Sequence, residues 1–323
     1  MDLLINPIVK NFLTTKIENN NDWNQSLLFW GEPDLGKLTT AKLFAKSLLC
    51  MQNKIGGCDQ CESCNFFDNQ WHPDYLIIDF QGDTIKVNDT LPIFDFLLYK
   101  PQISKKRVLI INNCEKLNIE TQSSLLKTLE EPKNNTIIIL ITTNPQKLLK
   151  TINSRLLSIR FTKPSQNDII DFIKNKYPNY SKNLSHILEL SHNRPAQVIN
   201  YIRDQELLKN TDNNIKIFND LSKNNFDNQS TIIKNLMTHL QSQEETNQTD
   251  DKEKFIKTYL KTIINDWINN IEREIHTALQ NEPLVSLSKI KRFKNTLQLL
   301  SYVDNYNANY RLLLEAFCIT TFN

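Results

Sequence analysis

The sequence predicts an α/β fold: a parallel-sheet domain first, then helical text. Three observations carry this. Short β-branched runs alternate with amphipathic stretches through the first half, as in a parallel α/β sheet. A GxxxxGK motif, Gly31 to Lys37, stands between the first such run and a helical stretch. From Gln166 to about Asp204 the apolar residues recur at helical spacing only.

The expected strands are Ser26–Trp30, Tyr75–Phe80, Arg107–Ile111, Thr136–Thr142 and Leu157–Phe161. Each carries Ile, Leu or Val on both faces, as strands covered by helices on both sides require. Between the third and fourth lies an expected helix, Ile119–Glu130, whose end is marked by Pro132. Lys163-Pro164 punctuates the chain, and Ser191–Pro195 reads as a turn within the helical part. A polar stretch follows, in which Gln241–Lys252 reads as a solvated loop. Phe255, Tyr259, Ile263, Trp267, Ile271 and Ile275 repeat every four residues, one buried face of a helix or a surface for a partner helix. An apolar helix over about Tyr310–Thr320 closes the chain, and no solenoid-type repeat is visible.

A chain of 323 residues is long enough for two or three domains. The formal charge of +2, from 38 Lys and Arg against 36 Asp and Glu, neither requires nor excludes nucleic acid, so any such contact needs a local patch. Apolar runs such as Ile137–Ile141 fall well short of the roughly 20 residues of a membrane span, so no membrane partner is expected. The N-terminus lacks the basic start, apolar stretch and cleavage site of a signal peptide, and the cytoplasm is the expected compartment.

In a working phosphate loop the glycines, here Gly31 and Gly36, let backbone N–H groups wrap the phosphates. Lys37 would neutralise their charge, and a following Ser or Thr would hold Mg²⁺. The position after Lys37 is Leu38. Thr39 is no simple substitute, because one residue along a helix turns the side chain by about 100 degrees. The acidic pair expected at the end of an apolar strand is replaced by Asn112-Asn113, with Glu115 two positions late. Asparagine brings neither charge for the metal nor a useful base. Gly31, Gly36, Lys37 and Thr39 therefore read as a degenerate, vestigial phosphate loop kept as a structural turn, and ATP is not an expected cofactor.

Six cysteines are present, and four fall within fifteen residues: Cys50, Cys58, Cys61 and Cys64. In a cytosolic chain such clustering argues for metal over disulfides. Four thiolates suit a closed, structural Zn²⁺ site, with Cys50 near the end of the helix after the loop. An iron–sulfur cluster and four incidental buried cysteines are the alternatives. His72 reads as a packing residue, and Cys114 and Cys318 as small buried hydrophobes.

A phosphate-loop helix followed by a four-cysteine knuckle and then Trp71-His72-Pro73-Asp74 resembles clamp-loader subunits of the bacterial DNA polymerase III holoenzyme. Ser123–Pro132 resembles that family's LLKTLEEP segment. Thr136–Asn144 is similar to its sensor-1 strand, with Thr142 or Thr143 as the sensing hydroxyl, and Thr151–Leu156 to its Ser-Arg-Cys motif, with Leu156 in place of the cysteine. The motifs cover about Phe29 to Arg160. The resemblance implies an AAA+ P-loop-like domain with zinc knuckle over residues 1–162, a helical lid over 163–206 and an all-helical collar for oligomerisation over 207–323.

Within that family the losses at Leu38, Asn112 and Asn113 point to the delta' type, a stator without intrinsic ATPase activity. The resemblance implies that Arg155 acts in trans as an arginine finger for a neighbouring ATPase subunit; pairing with a local carboxylate is the plain alternative. Arg194 falls where a sensor-2 arginine would sit and is expected to be structural. The partners implied are gamma/tau and delta-type subunits, the sliding clamp and primed DNA.

Two competing readings differ in class. One is an ATP-hydrolysing gamma/tau-type subunit, against which Leu38 and Asn112 argue. The other is a DNA-binding zinc protein; Lys105-Lys106-Arg107 is a short basic run, but it leads into a buried strand and reads as a solvated strand entry.

Overall fold

The structure, a computed structural model, describes residues 7–18, 25–79, 90–130, 132, 135–178, 180, 183–247, 252–281, 287–305 and 309–322. The described chain divides into two compact units, Met1–Lys182 with Asn193–Ile199 and Asn183–His192 with Asn200–Asn323.

The first unit is built on a five-stranded sheet: β1 (Leu27–Trp30), β2 (Tyr75–Asp79), β3 (Arg107–Asn112), β4 (Thr136–Thr142) and β5 (Leu157–Arg160). The strand order is β2-β3-β4-β1-β5 and every pairing is parallel. All five expected strands form, to within a residue or two at their ends; Phe80 lies outside the described residues. β3 and β4 are buried almost throughout, while β2 and β5, at the edges, are partly exposed.

Strand alternation sends successive side chains to opposite layers. Leu27, Phe29, Val108, Ile110, Ile137, Ile139 and Ile141 pack with residues of α1 (Pro7–Glu18) and α2 (Lys37–Leu49). Leu28, Leu109, Ile111, Ile138 and Leu140 pack on the other face with residues of α4 (Leu91–Leu98), α5 (Ile119–Glu130) and α6 (Lys150–Asn153). The short α3 (Glu62–Asp68) follows the cysteine-bearing turn. Lys163-Pro164 ends the sheet layer, and α7 (Gln166–Lys176) starts in a capping box between Ser165 and Asp168.

Beyond it run α8 (Leu184–Ser191), α9 (Pro195–Arg203), α10 (Gln205–Lys223), α11 (Phe226–Asn247), α12 (Lys252–Asn281), α13 (Leu287–Asn305) and α14 (Tyr310–Phe322). The expected turn falls at His192 and Asn193, both at positive φ. The second unit has its own core, centred on the fully buried Trp267 against Phe218 and Phe317. Ile263, Trp267 and Ile271 of the four-residue stripe are buried, and Tyr259 and Ile275 flank them in part.

The expected loop at Gln241–Lys252 needs correction. Gln241–Asn247 are the last turns of α11, Lys252 opens α12, and residues 248–251 lie outside the described residues. QSQEETN contains neither Gly nor Pro, and Gln and Glu are good helix formers, so polarity alone misleads there. Among the described residues no helix is long and apolar enough to cross a membrane.

Candidate functional site

Cys50 ends α2 with extended backbone, and its N–H still donates to Lys46 O at 3.0 Å. The chain turns through Gly56-Gly57 to Cys58, and Cys61 caps the start of α3, which carries Cys64. The four Sγ atoms lie within 4.8 Å of one another, Cys58 and Cys64 at 3.9 Å. A tetrahedron of ~2.3 Å metal–sulfur bonds puts sulfurs roughly 3.8 Å apart, so the donor set fits a divalent ion such as Zn²⁺. Backbone N–H groups aim at the sulfurs: Cys61 N–H at Cys58 Sγ (3.3 Å), Cys64 N–H at Cys61 Sγ (3.4 Å) and Cys58 N–H at Cys64 Sγ (3.3 Å). Such donors favour thiolate, and with Gln60 first among them they lower the Cys58 pKa to about 6. Burial pushes Cys64 up to about 12. A bound Zn²⁺ would hold all four as thiolates and tie the turn together.

The surrounding residues brace this knuckle. Lys46 Nζ bridges Asp59 (2.6 Å) and Asp68 (2.8 Å), joining α2 to both limbs of the turn. Gly57 has φ +91°, and a Cβ there would stand 2.6 Å from Lys46 Cε and 3.1 Å from Cys64 Sγ. Ser63 Oγ and Ser104 Oγ both donate to the Leu49 carbonyl, next to the first cysteine, and both face His72 Nε2. His72 Nδ1 accepts the Asp74 N–H at 3.0 Å, which leaves the proton on Nε2; burial lowers its pKa. His72 is a packing residue and contributes no ligand atom to the cysteine cluster.

Asp74, fully buried, accepts N–H bonds from Gln102, Ile103 and Ser104 at 2.8, 2.8 and 2.9 Å and faces Arg107 Nε at 3.6 Å. Arg107 also donates to the carbonyls of Phe96, Tyr99 and Pro73 and stacks on the Phe96 ring at 3.8 Å. Arg107 is 2% exposed and Lys106 9%, so the basic run is not a solvated strand start. A buried carboxylate 33 residues upstream supplies the counter-charge that the local pattern does not reveal. Cys114 and Cys318 are fully buried, and burial raises both thiols.

The phosphate loop leaves β1 at Gly31, where φ is +148° and a Cβ would stand 2.4 Å from Phe161 O. Gly36, in the left-handed region, starts α2. Lys37 is 7% exposed and turns its Nζ onto the loop's own carbonyls, Gly31 O at 2.7 Å and Glu32 O. Burial lowers its pKa to about 8, against the opposing fields of Glu115, Asp34 and Glu32. Leu38 packs against the core of the first unit, and Thr39 is exposed on the rim of the cleft. The cleft, about 260 Å³, lies at the C-terminal ends of β1, β3 and β4 and falls just below the ~300–1,000 Å³ of small-molecule pockets.

Across it, Asn112 and Asn113 both donate to Asp79 Oδ1, at 2.9 and 3.2 Å. Thr142 is buried, its Oγ1 accepting the Asn144 N–H, while Thr143 Oγ1 donates to Glu115 Oε1 at 2.9 Å. Glu115, in the turn after β3, is thus tied to Thr143 of the cleft lining. Arg194 lies 3.7 Å from Glu32, which also takes Lys163 at 2.9 Å. Glu32 and Asp34 are not among the site residues expected from the sequence, although acids inside an anion-cradling motif are themselves a signal.

Arg155 stands apart from this cleft's lining. Its guanidinium pairs with Glu130 at the end of α5 and donates to Thr151 O at 2.6 Å, with the side chain 30% exposed.

Residues 5–165 match the family described as DNA polymerase III, delta subunit. The chain is 29% identical to DNA polymerase III subunit delta' of Bacillus subtilis over 214 residues, covering 66% of this chain and 64% of that protein. It is 34% identical to subunit tau/gamma of Haemophilus influenzae over 170 residues, covering 52% of this chain and 23% of that one. The chain therefore spans less than two-thirds of the length of these curated relatives. Among solved structures, a gamma subunit-related protein of DNA polymerase III from Thermotoga maritima aligns over 96% of this chain and 97% of its own, with TM-score 0.50 and 20% identity, which speaks for the fold. With the parallel sheet, the phosphate-loop turn and the cysteine knuckle in place, the chain is of the DNA polymerase III clamp-loader type over the matched residues 5–165.

Proposed function

We propose that the chain is the delta'-type stator of the clamp loader: a subunit that does not hydrolyse ATP, helps load the sliding clamp onto primed DNA, and supplies Arg155 to the nucleotide site of a neighbouring subunit. The observation that carries the reading is the state of its own cleft. Leu38, half-buried against the core and lining the cleft, brings no hydroxyl, the Asn112-Asn113 pair is bonded to Asp79, and Lys37 is satisfied by its own loop. Nothing in that set holds Mg²⁺ or activates water.

In this proposal residues 1–162 form the AAA+-type domain, 163–206 the lid and 207–323 the collar that meets gamma/tau and delta-type subunits, all in the cytoplasm. The four cysteines hold a structural Zn²⁺. Arg155 acts after exchanging Glu130 for the phosphoryl oxygens of the adjacent site, where an arginine finger supplies about 10³–10⁵ in rate.

One observation favours a second reading, an ATP-hydrolysing gamma/tau-type subunit: identity to the tau/gamma relative, 34%, exceeds that to the delta' relative, 29%. Calorimetric titration of the isolated chain with MgATP, with a phosphate-release assay beside it, separates the two. The stator reading expects neither binding nor turnover; Mg²⁺-dependent turnover by the isolated chain would establish the second reading instead.

A further inference from the structure

The cleft carries its own counter-ions. Glu32, the second residue of the phosphate loop, places Oε2 2.9 Å from Lys163 Nζ and 3.7 Å from an Arg194 guanidinium nitrogen. Two residues on, Asp34 adopts φ 62°, and its carbonyl accepts the Ala196 N–H at 3.0 Å. Its carboxylate accepts Gln197 Nε2 at 3.1 Å. Both acids of one loop thus grip the segment where α9 begins.

A phosphate-binding loop works through N–H donors and surplus positive charge. Here Lys37, Lys163 and Arg194 are met by Glu32, Asp34 and Glu115, so an incoming polyphosphate finds carboxylates where it needs cations. Lys163 and Arg194 converge on one Glu32 oxygen, as they would on an oxygen of a bound phosphate.

We propose that Glu32 is an internal stand-in for a nucleotide phosphate: it takes the contacts of Arg194 and Lys163 and holds the start of α9 on the loop with no nucleotide bound. The inference rests on the stator reading and names the residue that makes this site independent of nucleotide. Glu32 is half exposed, at 52%, so its replacement by glutamine is compatible with folding.

The test uses the full chain and Glu32→Gln, with amide hydrogen exchange at Ala196–Val198 and pyrophosphate as the probe anion. Loss of two part-exposed ion pairs should speed exchange about three- to tenfold. Millimolar pyrophosphate should slow it again in the variant and leave the wild type unchanged. Unchanged exchange in Glu32→Gln overturns the stand-in role, as does equal protection of both proteins by pyrophosphate; in neither case does the stator reading fall if the wild type binds no MgATP. Binding of MgATP by the wild type overturns both.

Discussion

Asp74→Ala removes the acceptor at the centre of the Trp71-His72-Pro73-Asp74 segment. Three backbone N–H groups, of Gln102, Ile103 and Ser104, lose their partner in a region without compensating solvent. Each orphaned donor costs about 1–3 kcal/mol. Arg107, 2% exposed, is left with carbonyls and the Phe96 ring but no counter-charge; breaking a buried pair in this way costs about 3–5 kcal/mol. The terms share partners and do not add fully, so ~6 kcal/mol is the expected scale. That is comparable to the whole stability of a typical domain, about 5–15 kcal/mol. Urea unfolding of the wild type, Asp74→Ala and Asp74→Ala/Arg107→Met reads it. The single variant should melt early or fail to accumulate, and the double variant should recover roughly 2 kcal/mol by removing the uncompensated charge. A loss under about 2 kcal/mol in the single variant, or a double variant no better than the single, refutes the assignment of Asp74 and Arg107 as the brace behind the knuckle.

Three further outcomes are expected. Purified chain should carry one Zn²⁺ by emission spectroscopy, and Cys64→Ser should lose it with a marked fall in melting temperature; visible charge-transfer bands from iron, or a metal-free chain melting like Cys64→Ser, would contradict the zinc assignment. Burial raises the Asp266 pKa from 3.8 to about 6, opposed by the Asn214 hydrogen bond, so its charged form costs up to ~3 kcal/mol. The folded state holds this proton more tightly, and the group's contribution to stability is therefore lost as pH rises from about 4 through 6. Asp266→Asn should gain about 1–3 kcal/mol at pH 7.5 and nothing below pH 4; urea unfolding that shows no gain at pH 7.5 refutes this. Glu130→Gln should leave Arg155 more mobile without unfolding the chain, read as faster exchange of the Arg155 side-chain protons, because the pair is part-exposed and worth under about 1 kcal/mol.

The sheet was legible because buried parallel strands are runs of Ile, Leu and Val, and Ile137–Ile141 cannot be anything more polar. The cysteine cluster was legible because its four residues, brought together in space, are also close in sequence. The helices α10 and α11 were less so: Leu208, Phe218 and Leu221 are sparse among Asn, Asp and Lys, and the last turns of α11 read as loop. What periodicity does not encode is which distant polar group answers which. Arg107 meets Asp74, Arg155 meets Glu130, and Arg194 meets Glu32 across 162 residues (194 − 32). Each basic residue was visible in the sequence, and its counter-charge was not.

In the proposed role this chain acts on a neighbour's nucleotide through Arg155. Its most direct test is steady-state ATP turnover by a reconstituted clamp loader containing either the wild-type chain or Arg155→Ala, with clamp and primed DNA present and assembly checked by gel filtration. The complex should assemble, and turnover at the adjacent site should fall by about 10³ or more. An assembled complex that turns over ATP at the wild-type rate with Arg155→Ala would contradict it, and would leave Arg155 as no more than the partner of Glu130.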